Sequence, residues 1–138
     1  MAHKVLLAGS GNIGRRHLEA LLVAPAAIEM DISVVEPFEG ARAATSEVVQ
    51  KALAGANRDR AERVRLYERI EDAPRAADLA IIASDAAPRR RIFDAIRAHA
   101  GVGAWVFEKV LFQTRRDLDE VGAALAAGNT PAFVNCGR

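Results

Sequence analysis

Apolar and polar positions fall into blocks along the chain, and the blocks change period. Val5, Leu6, Leu7 and Ala8 form a short continuous apolar run, the mark of a parallel strand covered on both faces. From about Asn12 to Val23 the period becomes helical. Ile13, Leu18, Leu21 and Leu22 occupy the face expected to meet the sheet, with His17 on the side of Ile13 and Leu21. Pro25 ends this helix, because its ring cannot continue the hydrogen-bond ladder. Ile32-Ser33-Val34-Val35 reads as a second strand, closed by Glu36-Pro37. Between Glu39 and Ala56 a second helical stripe is carried by Thr45, Val48, Val49, Ala52 and Leu53, with Gly55 and Asn57 suited to stop it.

The charge-dense segment Arg58 to Arg63 reads as a solvated connection. It leads to a short third strand, Val64-Arg65-Leu66-Tyr67, at or near the sheet edge. Asp78 to Ala83 is the fourth strand, ended by Ser84-Asp85, and Pro88 suits the first position of the next helix. That helix turns Ile92, Ala95, Ile96 and His99 inward before Gly101 and Gly103 break it. Ala104 to Phe107 is the fifth strand and runs into Glu108-Lys109. Thr114 has the character of an N-cap, with Asp117 three residues on as a shortened capping box. Leu118, Val121, Gly122 and Leu125 form the last buried stripe, Gly128-Asn129 stops it, and Ala132-Phe133-Val134 is the sixth strand. Strands alternating with helices require crossover connections, and therefore an α/β, doubly wound parallel sheet of about six strands with helices on both faces.

Between the first strand and the first helix, Gly9-Ser10-Gly11-Asn12-Ile13-Gly14 has the spacing G-x-G-x-x-G. Gly9 allows the tight turn, Gly11 removes the Cβ that would hold a pyrophosphate off the backbone, and Gly14 lets the helix pack close to the sheet. The helix N-terminus presents free N–H groups to the phosphates. Glu36, twenty-two residues past Gly14, ends the second strand where its carboxylate can accept hydrogen bonds from an adenosine ribose. Together with right-handed crossovers, this loop favours the strand order 3-2-1-4-5-6 of the Rossmann fold, with these residues as a dinucleotide site. A glycine turn that only joins strand to helix explains one or two glycines but not Glu36. Arg42, about one helical turn into the next element, is a counterweight to Glu36 because it can pair a 2′-phosphate.

Composition narrows the classes further. The 138 residues suit one domain, and 51% hydrophobic with 27% charged residues is ordinary for a globular chain. Nineteen basic and eighteen acidic residues leave +1, which recommends neither nucleic acid nor an anionic membrane as partner. No apolar run approaches the ~20 residues of a membrane span, and the one in MAHKVLLAGSG is too short for a signal peptide. The lone Cys136 suits a reducing cytoplasm and reads as a small apolar filler. His3 and His99 lack partners at metal-ligand spacing, so no metal is expected, and Trp105 reads as core.

GSGNIGRRH, VVEP, DLAIIAS and FEKV, in this order and spacing, resemble the N-terminal domain of the glucose–fructose oxidoreductase / inositol dehydrogenase (Gfo/Idh/MocA) family. The resemblance covers essentially the whole chain. It implies NAD as cofactor, held by Gly9 to Gly14, Glu36, Ser84 after the fourth strand and Glu108. It also implies a catalytic role for Lys109, matching the lysine of the family's Glu-Lys-Pro beside the nicotinamide and the substrate oxygen. A solvated lysine ending a strand is the plainer account of Lys109. His17 matches the motif's histidine and reads as a small polar residue packed near the loop. Val110 replaces the motif's proline, and Arg89-Arg90-Arg91 follows Pro88 where the family often carries a histidine. The arginines read as a solvated basic turn, or as contacts for an anion or partner.

In that family a second α/β domain supplies the substrate contacts and an acid–base histidine, and this sequence ends at Val134-Asn135-Cys136-Gly137-Arg138 where it would begin. The expectation is the cofactor half of an NAD-dependent oxidoreductase acting on a sugar, cyclitol or nucleotide sugar, inactive by itself. The alternative is a stand-alone NAD(H)-sensing regulatory module. Self-association into a homo-oligomer is left open by the sequence.

Overall fold

The structure, a computed structural model, describes residues 1–136. Its central sheet contains β1 (His3–Ala8), β2 (Met30–Val35), β3 (Val64–Tyr67), β5 (Leu79–Ile82), β7 (Trp105–Glu108) and β8 (Ala132–Asn135). These six strands are all parallel, in the order β3-β2-β1-β5-β7-β8. Numbered among themselves they stand 3-2-1-4-5-6, as the sequence predicts. Two strands of two residues each, β4 (Ala76–Ala77) and β6 (Gly101–Val102), form a separate parallel ladder that was not anticipated. They are too short to carry a periodicity, and only the fold brings them together.

The helices are α1 (Asn12–Leu22), α2 (Glu39–Leu53), α3 (Arg58–Ala61), α4 (Ala86–His99) and α5 (Arg115–Ala127). Successive strand residues face opposite sides of a sheet, and β1 sorts accordingly. Val5 and Leu7 join Ile32, Val34 and Ile81 beneath Leu18, Leu22, Val49 and Ala61 of α1 to α3. Leu6 and Ala8 join Ala80, Ile82, Trp105 and Phe107 beneath Phe93 and Ile96 of α4 and Val121 of α5. On this second face Phe93 lies 4.7 Å from Trp105, centroid to centroid, and Phe107 stacks parallel to Trp105. Trp105 is core, as expected; Phe93 is fully buried although the stripe read from α4 omitted it.

Several expectations are corrected. Ile13 is 44% exposed and lines an open groove with Arg16 and Phe133 instead of meeting the sheet. Arg58 to Ala61 is a helical turn whose Ala61 is buried, so the segment is more than a solvated connection. Helix α4 starts two residues before Pro88. In α5 only Val121 is fully buried while Leu118 and Gly122 are exposed, because the helix lies over the outer strands and covers a narrow line. Cys136 is exposed rather than a filler. Thr114 does cap α5, its Oγ1 accepting the Asp117 N–H at 3.0 Å. Among the described residues no helix is long and apolar enough to cross a membrane.

Candidate functional site

The strand order reverses between β1 and β5, and their carboxyl ends are where such a sheet offers a crevice. The turn from β1 into α1 is built at close quarters. Gly9 has φ +92°, and a Cβ there would lie 2.9 Å from the Ser84 nitrogen at the end of β5. A Cβ on Gly14 would stand 2.0 Å from the Gly9 carbonyl oxygen, so Gly14 serves first the closing of the loop on itself and only second the approach to Ala83 on the sheet. Gly11 differs: nothing lies within 4 Å of the position its Cβ would take. It is the N-cap of α1, no side chain caps that end, and no acidic residue stands in the first turn. At this end of α1 Asn12 and Ile13 are exposed, so their N–H groups stand where a phosphate site requires them, while Gly14 is buried.

Glu36 is 5% exposed and already holds backbone. Its Oε1 accepts the Ser10 N–H at 2.8 Å and its Oε2 accepts the Phe38 N–H at 3.1 Å. Each oxygen keeps a second acceptor position. Ser10 is fully buried, and its hydroxyl shares a 2.6 Å hydrogen bond with Thr45 of α2. Its contribution is thus to hold the loop from beneath. Arg42 Nη1 donates to the carbonyls of Glu36 and Pro37 at 2.9 and 2.7 Å, tying α2 to the end of β2. Arg15, which the sequence reading passed over, folds back to donate to Ser10 O and Asn12 Oδ1 at 2.8 and 2.7 Å, placing a cation at the loop. Its signal was a basic residue just past the last glycine.

Two cavities flank the loop. A cleft of about 530 Å³ on the β2 side is lined by Gly9, Gly11, Glu36, Phe38, Ser84 and Ile92. A groove of about 690 Å³ on the β7 side is lined by Ile13, Arg16, His17, Lys109, Phe133 and Asn135. The structure thus brings Gly9, Gly11, Glu36 and Ser84 into one cavity and Ile13, Glu108 and Lys109 into the other.

At the end of β7, His17 Nε2 lies 2.5 Å from Glu108 Oε1, which also accepts from Asn135 Nδ2 at 2.8 Å. Burial by itself pushes the Glu108 carboxyl up. The hydrogen bonds from Asn135 and His17, with the charges of His17 and Arg89, outweigh it and hold the carboxyl below its ordinary value. The Lys109–Val110 peptide bond is cis, and Val110 is exposed.

The arginine triplet is not a solvated turn. Arg89 is 1% exposed, and Arg90 ties α4 to α5 through Asp117 and Glu120 at 3.2 and 2.6 Å; only Arg91 stays at the surface. Arg89 was missed as an architectural residue because its charge hid the signal: it stands three, four and seven residues before Ile92, Phe93 and Ile96, on the inward face of α4. Among the described residues no group of His, Cys, Asp and Glu could hold a metal ion.

No protein-family model matches the chain, and no curated protein sequence does. Solved structures match its fold. An NAD-binding protein from Listeria innocua superposes with a TM-score of 0.69 at 21% identity over 98% of this chain. The scyllo-inositol dehydrogenase from Lactobacillus casei, solved with NAD(H) and scyllo-inositol bound, gives 0.69 at 12% identity over 98%. The transcriptional regulator Gal80p from Kluyveromyces lactis gives 0.68 at 11% over 98%. The chain spans about a third of each of these proteins: 35%, 36% and 33% respectively.

Proposed function

We propose that the chain is the cofactor-binding half of a nicotinamide-dependent oxidoreductase of the Gfo/Idh/MocA family. The whole protein would exchange a hydride with a hydroxyl or carbonyl of a sugar, cyclitol or nucleotide sugar. The observation that carries this reading is the uncapped α1 N-terminus behind an unobstructed Gly11, standing between cavities of about 690 and 530 Å³. The fold shared with an inositol dehydrogenase crystallised with NAD(H) supports it.

In this reading the N–H groups of Gly11, Asn12 and Ile13 hold the pyrophosphate, assisted by Arg15. The remaining acceptor positions of Glu36 take the adenosine ribose, with Ser84 on the opposite wall of the cleft. Glu36 favours NAD over NADP, since its charge repels a 2′-phosphate. Arg42, whose Nη1 is held on the carbonyls of Glu36 and Pro37, is the counterweight, and Glu36 outweighs it because it ends the strand itself. The nicotinamide, when bound, supplies hydride acceptance and donation. Lys109 stabilises negative charge on the substrate oxygen, and Glu108, bonded to His17, fixes the end of the strand that carries it. The substrate-positioning wall and proton carrier would come from a second domain, so the chain alone turns over no substrate. A cytoplasmic location belongs to the same reading.

A second reading, an NAD(H)-sensing regulatory module, is favoured by one observation: a transcriptional regulator shares the fold. A sensor needs no lysine at the nicotinamide, so Glu108-Lys109 weighs for the enzyme. Calorimetry with NADH on the chain and on Gly11→Val tests the site common to both. A Cβ at Gly11 would meet nothing within 4 Å, so the variant should fold and lose binding. Equal affinity in a folded variant would sink the phosphate-loop assignment.

A further inference from the structure

Arg89 carries a buried guanidinium whose acceptors among the described residues are all backbone carbonyls, with no carboxylate in hydrogen-bond contact. Nη2 donates to Ser84 O at 2.5 Å, and Nη1 faces Glu108 O at 2.7 Å, Leu111 O at 3.0 Å and Val110 O. Its Nε is buried without a partner among the described residues. Burial pushes its pKa down, opposed by the charges of Glu108 and Asp85. Taking a guanidinium out of water costs several kcal/mol, and a side chain that only filled space would do so more cheaply as a hydrocarbon. The four carbonyls share one property. One lies two residues past β5, and the other three bracket Lys109, from the residue before it to the two after it. Those backbone segments lead out of neighbouring parallel strands, and Arg89 joins them.

We propose that Arg89 is the positioning residue for Lys109: by gathering the carbonyls of residues 108, 110 and 111 onto one guanidinium anchored at Ser84, it sets the turn from which the lysine projects. This rests on the cofactor reading above and deepens it, because the turn stands on the β5–β7 side of the switch point, opposite Glu36. Arg89 therefore governs the nicotinamide half of a dinucleotide; it meets the adenosine cleft only through the Ser84 carbonyl, without itself lining that cleft. Lysine cannot substitute, since a compact ammonium lacks the planar fork that reaches two segments at once.

The test is a pair of titrations on the 138-residue chain, with NADH and with ADP-ribose, which lacks the nicotinamide. Arg89→Lys, which keeps the charge, and Arg89→Met, which removes it, should each weaken NADH by about tenfold, the loss of one charge-assisted hydrogen bond. ADP-ribose should stay within about twofold, as expected where no contact changes. Lys109→Ala should produce the same selective loss, and adding Arg89→Lys to it should produce no further loss, because both act through one contact. Equal weakening of both ligands, weakening of neither, additive effects of the two substitutions, or failure of both Arg89 variants to fold would each make Arg89 a general core tether and overturn the proposal. Those outcomes leave the cofactor reading standing. An unmodified chain that binds neither ligand would instead remove the reading itself.

Discussion

At the β1–β2 end of the sheet's carboxyl edge, the glycine loop is held by one carboxylate accepting two N–H groups and by one pair of hydroxyls. At the β5–β7 end the turns are held by a buried cation donating to four carbonyls, and by a carboxylate wedged between a histidine and an asparagine. The first half is made by steric economy, with Gly9 and Gly14 where a Cβ collides with backbone. The second is made by charge, with each ion surrounded by partners from distant parts of the chain. Beyond it, all four residues of β8 remain exposed. An atom added at Gly9 or Gly14 should therefore cost the same at any pH, whereas the cost of removing the Glu108 charge should depend on pH.

The sharpest break is Gly14→Ala. A methyl group placed 2.0 Å from a backbone carbonyl that itself closes the loop has no flexible neighbour to displace. We expect a loss of about 3 kcal/mol or more, at the upper end for overpacking, read as a lowered urea midpoint. A midpoint unchanged from the parent would show that the loop can relax.

A smaller effect is expected on the ionic side. Glu108→Gln should cost about 1.5 kcal/mol at neutral pH, the value of a hydrogen bond to a charged group. The folded-state pKa of Glu108 lies below its ordinary 4.5. Its contribution is therefore fully present above that ordinary value and is lost as pH falls through the folded one. The gap between parent and variant should accordingly close in acid. A gap that stays constant from neutral pH to well below 4.5 would mean that the charge on Glu108 is not what stabilises β7. The same pH series on Gly14→Ala should show a constant gap, and that contrast sharpens the comparison.

The smallest effect is predicted at the rim. Phe133 is 61% exposed, and Phe133→Ser should shift stability by no more than about 0.5 kcal/mol, as for a surface substitution. A larger loss in thermal melts would place β8 in a packed environment in solution.

Reading the residues in order was enough for the strands, the longer helices and the glycine turn, since each rests on contacts within a few residues or on a run long enough to show its period. Glu36 was legible as the acid ending β2, but its bond to Ser10 N was not. That bond spans twenty-six residues and exists only because β1 and β2 pair in parallel register. The same limit applies to Arg89: its spacing from Ile92, Phe93 and Ile96 puts it on the buried face of α4, but the carbonyls of residues 108, 110 and 111 that receive it are brought there only by the fold.

By itself, then, the sequence determined the alternation of strand and helix, the order of the sheet, the places where a Cβ is excluded, and the candidate residues at its edge. Only the tertiary structure decided which of those residues share a cavity, which way Ile13 faces, and what receives the charge of Arg89. The physical reason is that a period or a glycine is local, whereas the environment of a charge is set by groups many residues away. At Arg89 those groups are carbonyls brought together when β5 and β7 come to lie side by side.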